Sequence, residues 1–239
     1  PLTRYARLAG HLLAAVVLTA VVVPFASPAR QLALRQRWSA RLLKILGIRL
    51  HADAPFIGPG SLIVANHVSW LDIFVINAAF PTTFVSKAEV REWPLAGWLA
   101  TRHETVFLRR GSRGHARIVN GEIATLLTQG RHVTVLPEGT TTDGSHVLGF
   151  HGALLQAAIE AKAPLQPISI AYRQPDGQYT RAPAYDGDLS LLDSLRAIVA
   201  EPQIIARLRV GEPLSVVDTP DRKALAHLAR DRIVAGIAD

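Results

Sequence analysis

The chain has 239 residues, enough for one ordinary α/β domain with a small appendage, and 49% of them are hydrophobic, enough for a large core. It contains no cysteine, which excludes a disulfide framework, thiolate catalysis and cysteine metal sites. The net charge of +7 points to an anionic partner: nucleic acid, anionic lipid headgroups or an acidic carrier protein. There is no aromatic-and-basic signature of the RNP kind. The basic residues gather instead beside an apolar segment, so the anionic membrane surface is favoured and nucleic acid is not expected.

Residues 8–25 are a nearly continuous run of Leu, Ala and Val, close to the minimum span of a membrane helix. Arg4 and Arg7 precede the run, and Arg30, Arg35 and Arg37 follow it. A signal peptide, a transmembrane helix and a helix embedded in one leaflet all fit the pattern. The run is long for a signal core and basic on both sides, which favours an anchor. Charge on both flanks leaves its orientation open. Residues 31–50 then read as a basic amphipathic helix. Leu34, Trp38, Leu42, Ile45 and Leu46 recur at helical spacing, with Arg35, Arg37, Arg41 and Lys44 between them. Such a helix either lies in the headgroup region with Trp38 as interfacial anchor or packs on the domain with a solvated basic face. Gly47 ends it, and residues 48–51 begin a strand.

Strands and helices then alternate. Strands are expected at 61–65, 82–86, 105–108, 132–136, 165–172 and 204–210. Helices are expected at 72–79, 116–129, 151–161 and 221–237, with a polar surface excursion at 174–188. This alternation predicts an α/β fold in which helices flank a central mixed β-sheet, preceded by the N-terminal membrane-associated helices.

Two segments carry chemistry. In Ala65-Asn66-His67-Val68-Ser69-Trp70-Leu71-Asp72, a histidine stands five positions before an aspartate, just after a buried strand. A histidine held by a carboxylate makes a general base at neutral pH. The same residues also read as a helix start, with Ser69 as N-cap and Asp72 as its capping-box partner. Free N–H groups at that helix N-terminus would suit an oxyanion or a phosphate. The second segment, Pro137-Glu138-Gly139-Thr140-Thr141-Thr142-Asp143-Gly144, follows strand 132–136. Its hydroxyls and backbone N–H groups suit a phosphate or polyol headgroup, although a plain polar turn looks the same. Walker, GxSxG and HExxH patterns are absent, and no metal is expected.

Taken together, these segments resemble the glycerolipid acyltransferases, the family that includes 1-acylglycerol-3-phosphate acyltransferase. The likeness runs from about Leu50 to Tyr172 through four blocks in order. Asn66-His67 to Asp72 matches the NHxxxxD block. In the second block, Phe107 and Arg110 match, whereas Glu104 replaces a glycine and Arg109 an acid. Leu136-Pro137-Glu138-Gly139-Thr140 matches FPEGTR, and Ala163-Pro164-Leu165-Gln166-Pro167-Ile168 resembles the closing block. Residues 84–89 and 93–97 look like the segment between the first two blocks.

The resemblance implies a membrane-bound enzyme with an anchor at 1–49 and a catalytic domain at 50–239. It would transfer a fatty acyl group from a thioester to the hydroxyl of a lysolipid, without cofactor or metal. The donor would be acyl-CoA or acyl carrier protein. His67 would be the base and Asp72 its orienting acid. Arg110, Glu138, Gly139, Thr140, Thr141 and Lys87 would form the headgroup site. The expected location is the bacterial inner membrane, with the catalytic domain on the cytoplasmic face. Thr141 stands where the family has a phosphate-binding arginine, and Arg109, Arg110 or Lys87 can compensate. The Glu-Gly-Thr-Thr-Thr-Asp-Gly variant also resembles the branch that acylates lyso-ornithine lipid, an acceptor without phosphate. 1-Acylglycerol-3-phosphate is therefore the first expectation and lyso-ornithine lipid the second. A non-catalytic membrane lipid-binding protein and a lipid hydrolase are the rivals from other classes.

Overall fold

The computed structural model describes residues 2–53, 58–109, 111, 113–219 and 221–238. Arg110, one of the expected headgroup residues, lies outside the described residues. Seven strands form one sheet in the order β1-β7-β6-β2-β5-β3-β4. They are β1 (Ile48–Ala52), β2 (Leu62–Ala65), β3 (Thr83–Lys87), β4 (Val106–Leu108), β5 (Val133–Val135), β6 (Leu165–Arg173) and β7 (Ile204–Val210). Five of them, β6 to β4 in spatial order, run parallel. β7 is antiparallel to β6, and β1 is parallel to β7, so the sheet is mixed, as expected. β2 is buried along its whole length, which is why it reads as an unbroken apolar run rather than an alternating one.

Helices cover both faces. On one side Ile63, Ala65, Ile168 and Ile170 pack with Leu42, Leu43 and Leu46 of α2 (Pro28–Leu46), Val75 and Ile76 of α3 (Asp72–Ala79) and Ile198 of α7 (Leu191–Ala200). On the other, Leu62, Val64, Val133 and Val135 pack with Ile123 of α5 (Arg113–Thr128), Ala157 of α6 (Gln156–Ala161) and Leu225 of α8 (Arg222–Ala238). The odd residues of β2 face one layer and the even residues the other, the period of two that a strand imposes.

Two helices were not read from the sequence. α4 (Ala96–Arg102) is short, and α7 is masked by the polar excursion before it. α7 does carry its own start signal, because the Ser190 hydroxyl accepts from the Asp193 N–H at 3.1 Å.

α1 (Leu2–Val21) and α2 form an antiparallel hairpin through a 3-10 turn, Val23–Phe25. Ser27 caps α2, Pro28 opens it, and Gly47 closes it at φ 79°, a left-handed conformation that glycine adopts without strain. The hairpin is locked reciprocally. The His11 and Trp38 rings stack with centroids 4.5 Å apart, Trp38 Nε1 donates to the His11 carbonyl, and His11 Nε2 donates to that of Trp38. The stretch Leu2–Phe25 is long and apolar enough to cross a membrane, with a mean hydropathy of 2.2. It nevertheless touches the domain at both ends. Arg4 donates to the carbonyls of Val199 and Glu201, and the Thr19 hydroxyl lies 3.2 Å from His103 Nε2. Those anchor points are about 22 Å apart along the helix. Leu12, Leu13, Val17 and Val21, on the remaining surface of α1, are exposed.

Candidate active site

The parallel strands end along one edge, where open α/β sheets place their ligands. β2 delivers Asn66 and His67 to this edge, and β5 delivers Leu136, Pro137 and Glu138. Asn66 extends the pairing of β2 beyond its last residue. Its amide donates to the Ile170 carbonyl at 2.9 Å and accepts from the Ile170 N–H at 2.8 Å. A side chain that mimics a peptide group in this way fixes the direction in which the chain leaves the strand.

His67 is held at both its backbone and its ring. Its N–H donates to Glu138 Oε1 at 2.6 Å, and its carbonyl accepts from the Thr142 N–H at 2.9 Å. Nδ1 lies 2.9 Å from Asp72 Oδ2. A carboxylate only accepts, so Nδ1 carries a proton, and in the neutral ring the lone pair is on Nε2. Nε2 has no protein partner among the described residues, and the side chain is 20% exposed.

Asp72 is fully buried and receives four donors. Oδ2 accepts from His67 Nδ1, from the Val68 N–H at 2.7 Å and from the Ser69 N–H at 2.9 Å, while Oδ1 accepts from the Tyr172 hydroxyl at 2.7 Å. The structural and catalytic readings of this segment therefore hold together. The helix proper begins at Asp72 after Leu71, so Ser69 is not its N-cap residue. The reciprocity of a capping box is kept nonetheless, because Ser69 Oγ accepts from the Leu71 N–H at 3.2 Å while Asp72 reaches back to Ser69. The N–H groups of Val68, Ser69 and Leu71 are satisfied within the turn and are not free for an oxyanion.

Glu138 is also buried, and both its oxygens are taken by backbone donors, His67 N–H on Oε1 and Leu148 N–H at 2.7 Å on Oε2. Burial pushes its pKa up, and the two N–H donors oppose that shift. Its position makes it a brace between the β2–α3 turn and segment 146–150. Gly139 turns the chain at φ 74°, which requires glycine. Thr140 is exposed, and Thr141 donates its hydroxyl to the Tyr185 carbonyl. Lys87 ends β3 and is exposed, and Arg109 follows β4 with its N–H on His115 Nδ1 at 3.1 Å. With strands about 4.8 Å apart, β3 lies roughly 10 Å and β4 roughly 14 Å from β2 along the edge. His67, Asp72 and Glu138 thus form one cluster, and Lys87 and Arg109 lie further along the same edge. Tyr172, Asn66 and Thr142, which support the cluster, were not assigned roles from the sequence. The signal for Tyr172 was a tyrosine near the end of a mostly apolar strand, whereas Asn66 and Thr142 stood within the two segments that carry chemistry.

Glu104 and its surroundings form a second polar cluster at the opposite edge, where β3, β4 and β5 begin. Glu104 pairs with Arg131, while Arg35 of α2 donates to the carbonyls of Thr82 and His103 at 2.7 and 2.9 Å. Burial and then the neighbouring Arg35 hold the His103 pKa down to about 4, and burial brings the Arg35 pKa to about 10.

A histidine oriented by a buried carboxylate at the open edge of parallel strands is an arrangement that can deprotonate a hydroxyl. A sequence model of the acyltransferase family matches residues 47–171, which contain every residue of this cluster except Tyr172, and the chain belongs to that family. It is an acyltransferase. It is 42% identical over 206 residues to the lyso-ornithine lipid O-acyltransferase of Pseudomonas aeruginosa, covering 84% of this chain and 78% of that protein. It is 34% identical over 194 residues to the 1-acyl-sn-glycerol-3-phosphate acyltransferase of Neisseria meningitidis, covering 81% and 76%. The crystal structure of the 1-acyl-sn-glycerophosphate acyltransferase of Thermotoga maritima shares the fold with a TM-score of 0.65 at 20% identity, covering 98% of this chain and 96% of that one. Among the described residues no group of three His, Cys, Asp or Glu side chains is arranged to hold a metal ion.

Proposed function

We propose that this acyltransferase acylates the free hydroxyl of a lyso-ornithine lipid at the membrane surface, with His67 as general base. The observation that carries the acceptor is Thr141. An uncharged side chain, engaged with the Tyr185 carbonyl, stands where the resemblance leads one to expect a phosphate-binding arginine. The 42% identity to a lyso-ornithine lipid O-acyltransferase supports the same acceptor. The second reading is 1-acylglycerol-3-phosphate, the acceptor of the Neisseria relative. Lys87, Arg109 or Arg110 would then supply the charge.

In this reading His67 Nε2 takes the hydroxyl proton as the acceptor oxygen attacks the thioester carbonyl. Asp72 stabilises the imidazolium that forms, and Tyr172, Val68 and Ser69 keep Asp72 in place. The tetrahedral intermediate collapses with loss of the thiolate, which takes the proton back from His67. An ester, a free thiol and neutral imidazole result. No acyl-enzyme is required. Glu138 acts through the His67 backbone, and Gly139 and Thr140 line the turn beside the acceptor. The donor, acyl-CoA or an acyl carrier protein, is anionic and suits the exposed cations Lys87 and Arg109.

The hairpin of α1 and α2 seats the enzyme in one leaflet. A helix docked to the domain near both ends lies along it, and its exposed apolar side chains meet lipid. Bacterial relatives support a bacterial origin, and this reading puts the hairpin in the inner membrane with the catalytic domain on the cytoplasmic face. The test is a competition assay in detergent. Labelled palmitoyl-CoA or palmitoyl carrier protein is supplied with lyso-ornithine lipid, lysophosphatidate and zwitterionic lysophospholipids. Selective labelling of ornithine lipid is expected, whereas selective labelling of phosphatidate promotes the second reading. Release of free acid without acceptor points to hydrolysis instead.

A further inference from the structure

Between α1 and α2 runs a groove of about 850 Å³ whose charged lining is Arg7, Arg41 and Lys44 and whose small apolar lining is Gly10, Ala14 and Ala40. We propose that this groove is a binding site for one anionic phospholipid of the host bilayer, with its phosphate on Arg7, Arg41 and Lys44 and its glycerol and upper acyl carbons over Gly10, Ala14 and Ala40. The site rests on the reading of the hairpin as seated in a leaflet.

The charge balance carries the argument. No acidic residue occurs before Asp53, so the hairpin has no anion of its own. Arg4 and Arg35 spend their guanidinium groups on backbone carbonyls of the domain. Arg7, Arg41 and Lys44 have no hydrogen bond or ion pair among the described residues, yet all three line one groove. They meet there because α1 and α2 are antiparallel. Arg7 near the start of α1 lies beside Arg41 and Lys44 near the end of α2. Two guanidinium forks and an ammonium match the oxygens of a phosphodiester.

The apolar lining decides that the phosphate belongs to a lipid. Gly10 and Ala14 are exposed, and a Cβ on Gly10 would meet nothing within 4 Å, so the groove is open where a larger residue would fill it. Exposed Leu13 and Val17 follow on the same helix, continuing the apolar surface toward the hairpin turn. The volume falls within the range of roughly 300–1,000 Å³ typical of small-molecule sites.

The test uses the full chain in mixed micelles with equal diacyl phosphatidylglycerol and phosphatidylcholine, read by native mass spectrometry. The wild type is expected to retain one phosphatidylglycerol, at least tenfold in preference to phosphatidylcholine. Arg7→Gln/Arg41→Gln/Lys44→Gln should abolish the preference. Gly10→Leu/Ala14→Leu fills the groove with every charge intact and should also lose the bound lipid. If the leucine variant retains phosphatidylglycerol like the wild type, the cations act as a diffuse surface charge and the groove site is overturned. Flotation with phosphatidylcholine vesicles separates the parent reading. Flotation of wild type and both variants upholds leaflet seating regardless of the groove. A wild type that floats with no vesicle removes the seating and the site together.

Discussion

The Tyr172 hydroxyl donates to Asp72 Oδ1 at 2.7 Å, joining residues 100 positions apart at the end of β6 and the start of α3. Burial, and then the adjacent carboxylate, push the Tyr172 pKa well up, so the phenol remains a donor at every pH at which the enzyme works. Tyr172→Phe leaves one buried carboxylate oxygen without a partner. We expect a stability loss of about 1–3 kcal/mol by urea denaturation. kcat should fall about tenfold with little change in KM, since Asp72 loses one of the groups that aim it. Unchanged kcat in Tyr172→Phe would remove the tyrosine from the positioning of the base.

The base itself is tested by two substitutions. His67→Ala should abolish transfer, by at least 100-fold on the usual scale of general-base catalysis, and leave the thermal midpoint near that of the wild type. Asp72→Asn keeps an oxygen for the Val68 and Ser69 N–H groups and for His67 Nδ1, but removes the negative charge that stabilises the imidazolium. A loss of about 10³–10⁴ is expected. Full turnover by folded His67→Ala refutes the mechanism.

Glu138 is a brace, which predicts a different signature. Glu138→Gln sets an amide NH₂ against the N–H of either His67 or Leu148, costing about 1–3 kcal/mol. Both kcat and the urea midpoint should drop, with the acceptor KM nearly constant. A selective rise in acceptor KM at wild-type stability would instead make Glu138 a direct headgroup contact.

His103 links stability to pH. Its folded pKa of about 4 lies below its unfolded value of 6.5, so the unfolded chain takes up the proton first. Its contribution is fully present above pH 6.5 and is lost as pH falls from 6.5 to about 4. The slope corresponds to ~3.5 kcal/mol in all at about 1.4 kcal/mol per unit. The difference in urea stability between wild type and His103→Gln should therefore vary over this window and level off below it. A difference independent of pH would mean that the ring is not held neutral.

Thr141 tests the acceptor. Thr141→Arg restores a cation to the turn and frees the Tyr185 carbonyl. The ratio of lysophosphatidate to lyso-ornithine lipid acylation should rise about tenfold, the scale of one charge-assisted contact. An unchanged ratio places Thr141 outside the acceptor site.

The α/β alternation and helix α3 were legible because each rests on a local signal. These signals are an apolar run between breakers, a 3.6-residue period, and Gly47 and Gly130 after their helices. The pair His67 and Asp72 was legible because both fall within one turn. The sequence by itself determined that a histidine and an aspartate stand after a buried strand and that the segment before Asp53 is basic, apolar and free of acids. Tertiary structure alone decided which residues complete the site. Tyr172 reaches Asp72 and Asn66 pairs with Ile170 only because β2 and β6 are neighbours in the sheet, a relation between segments about 100 residues apart that no local period encodes. It likewise decided that Glu138 turns inward to the His67 backbone, since a carboxylate in a turn has the same sequence signature whether it faces a ligand or braces a loop.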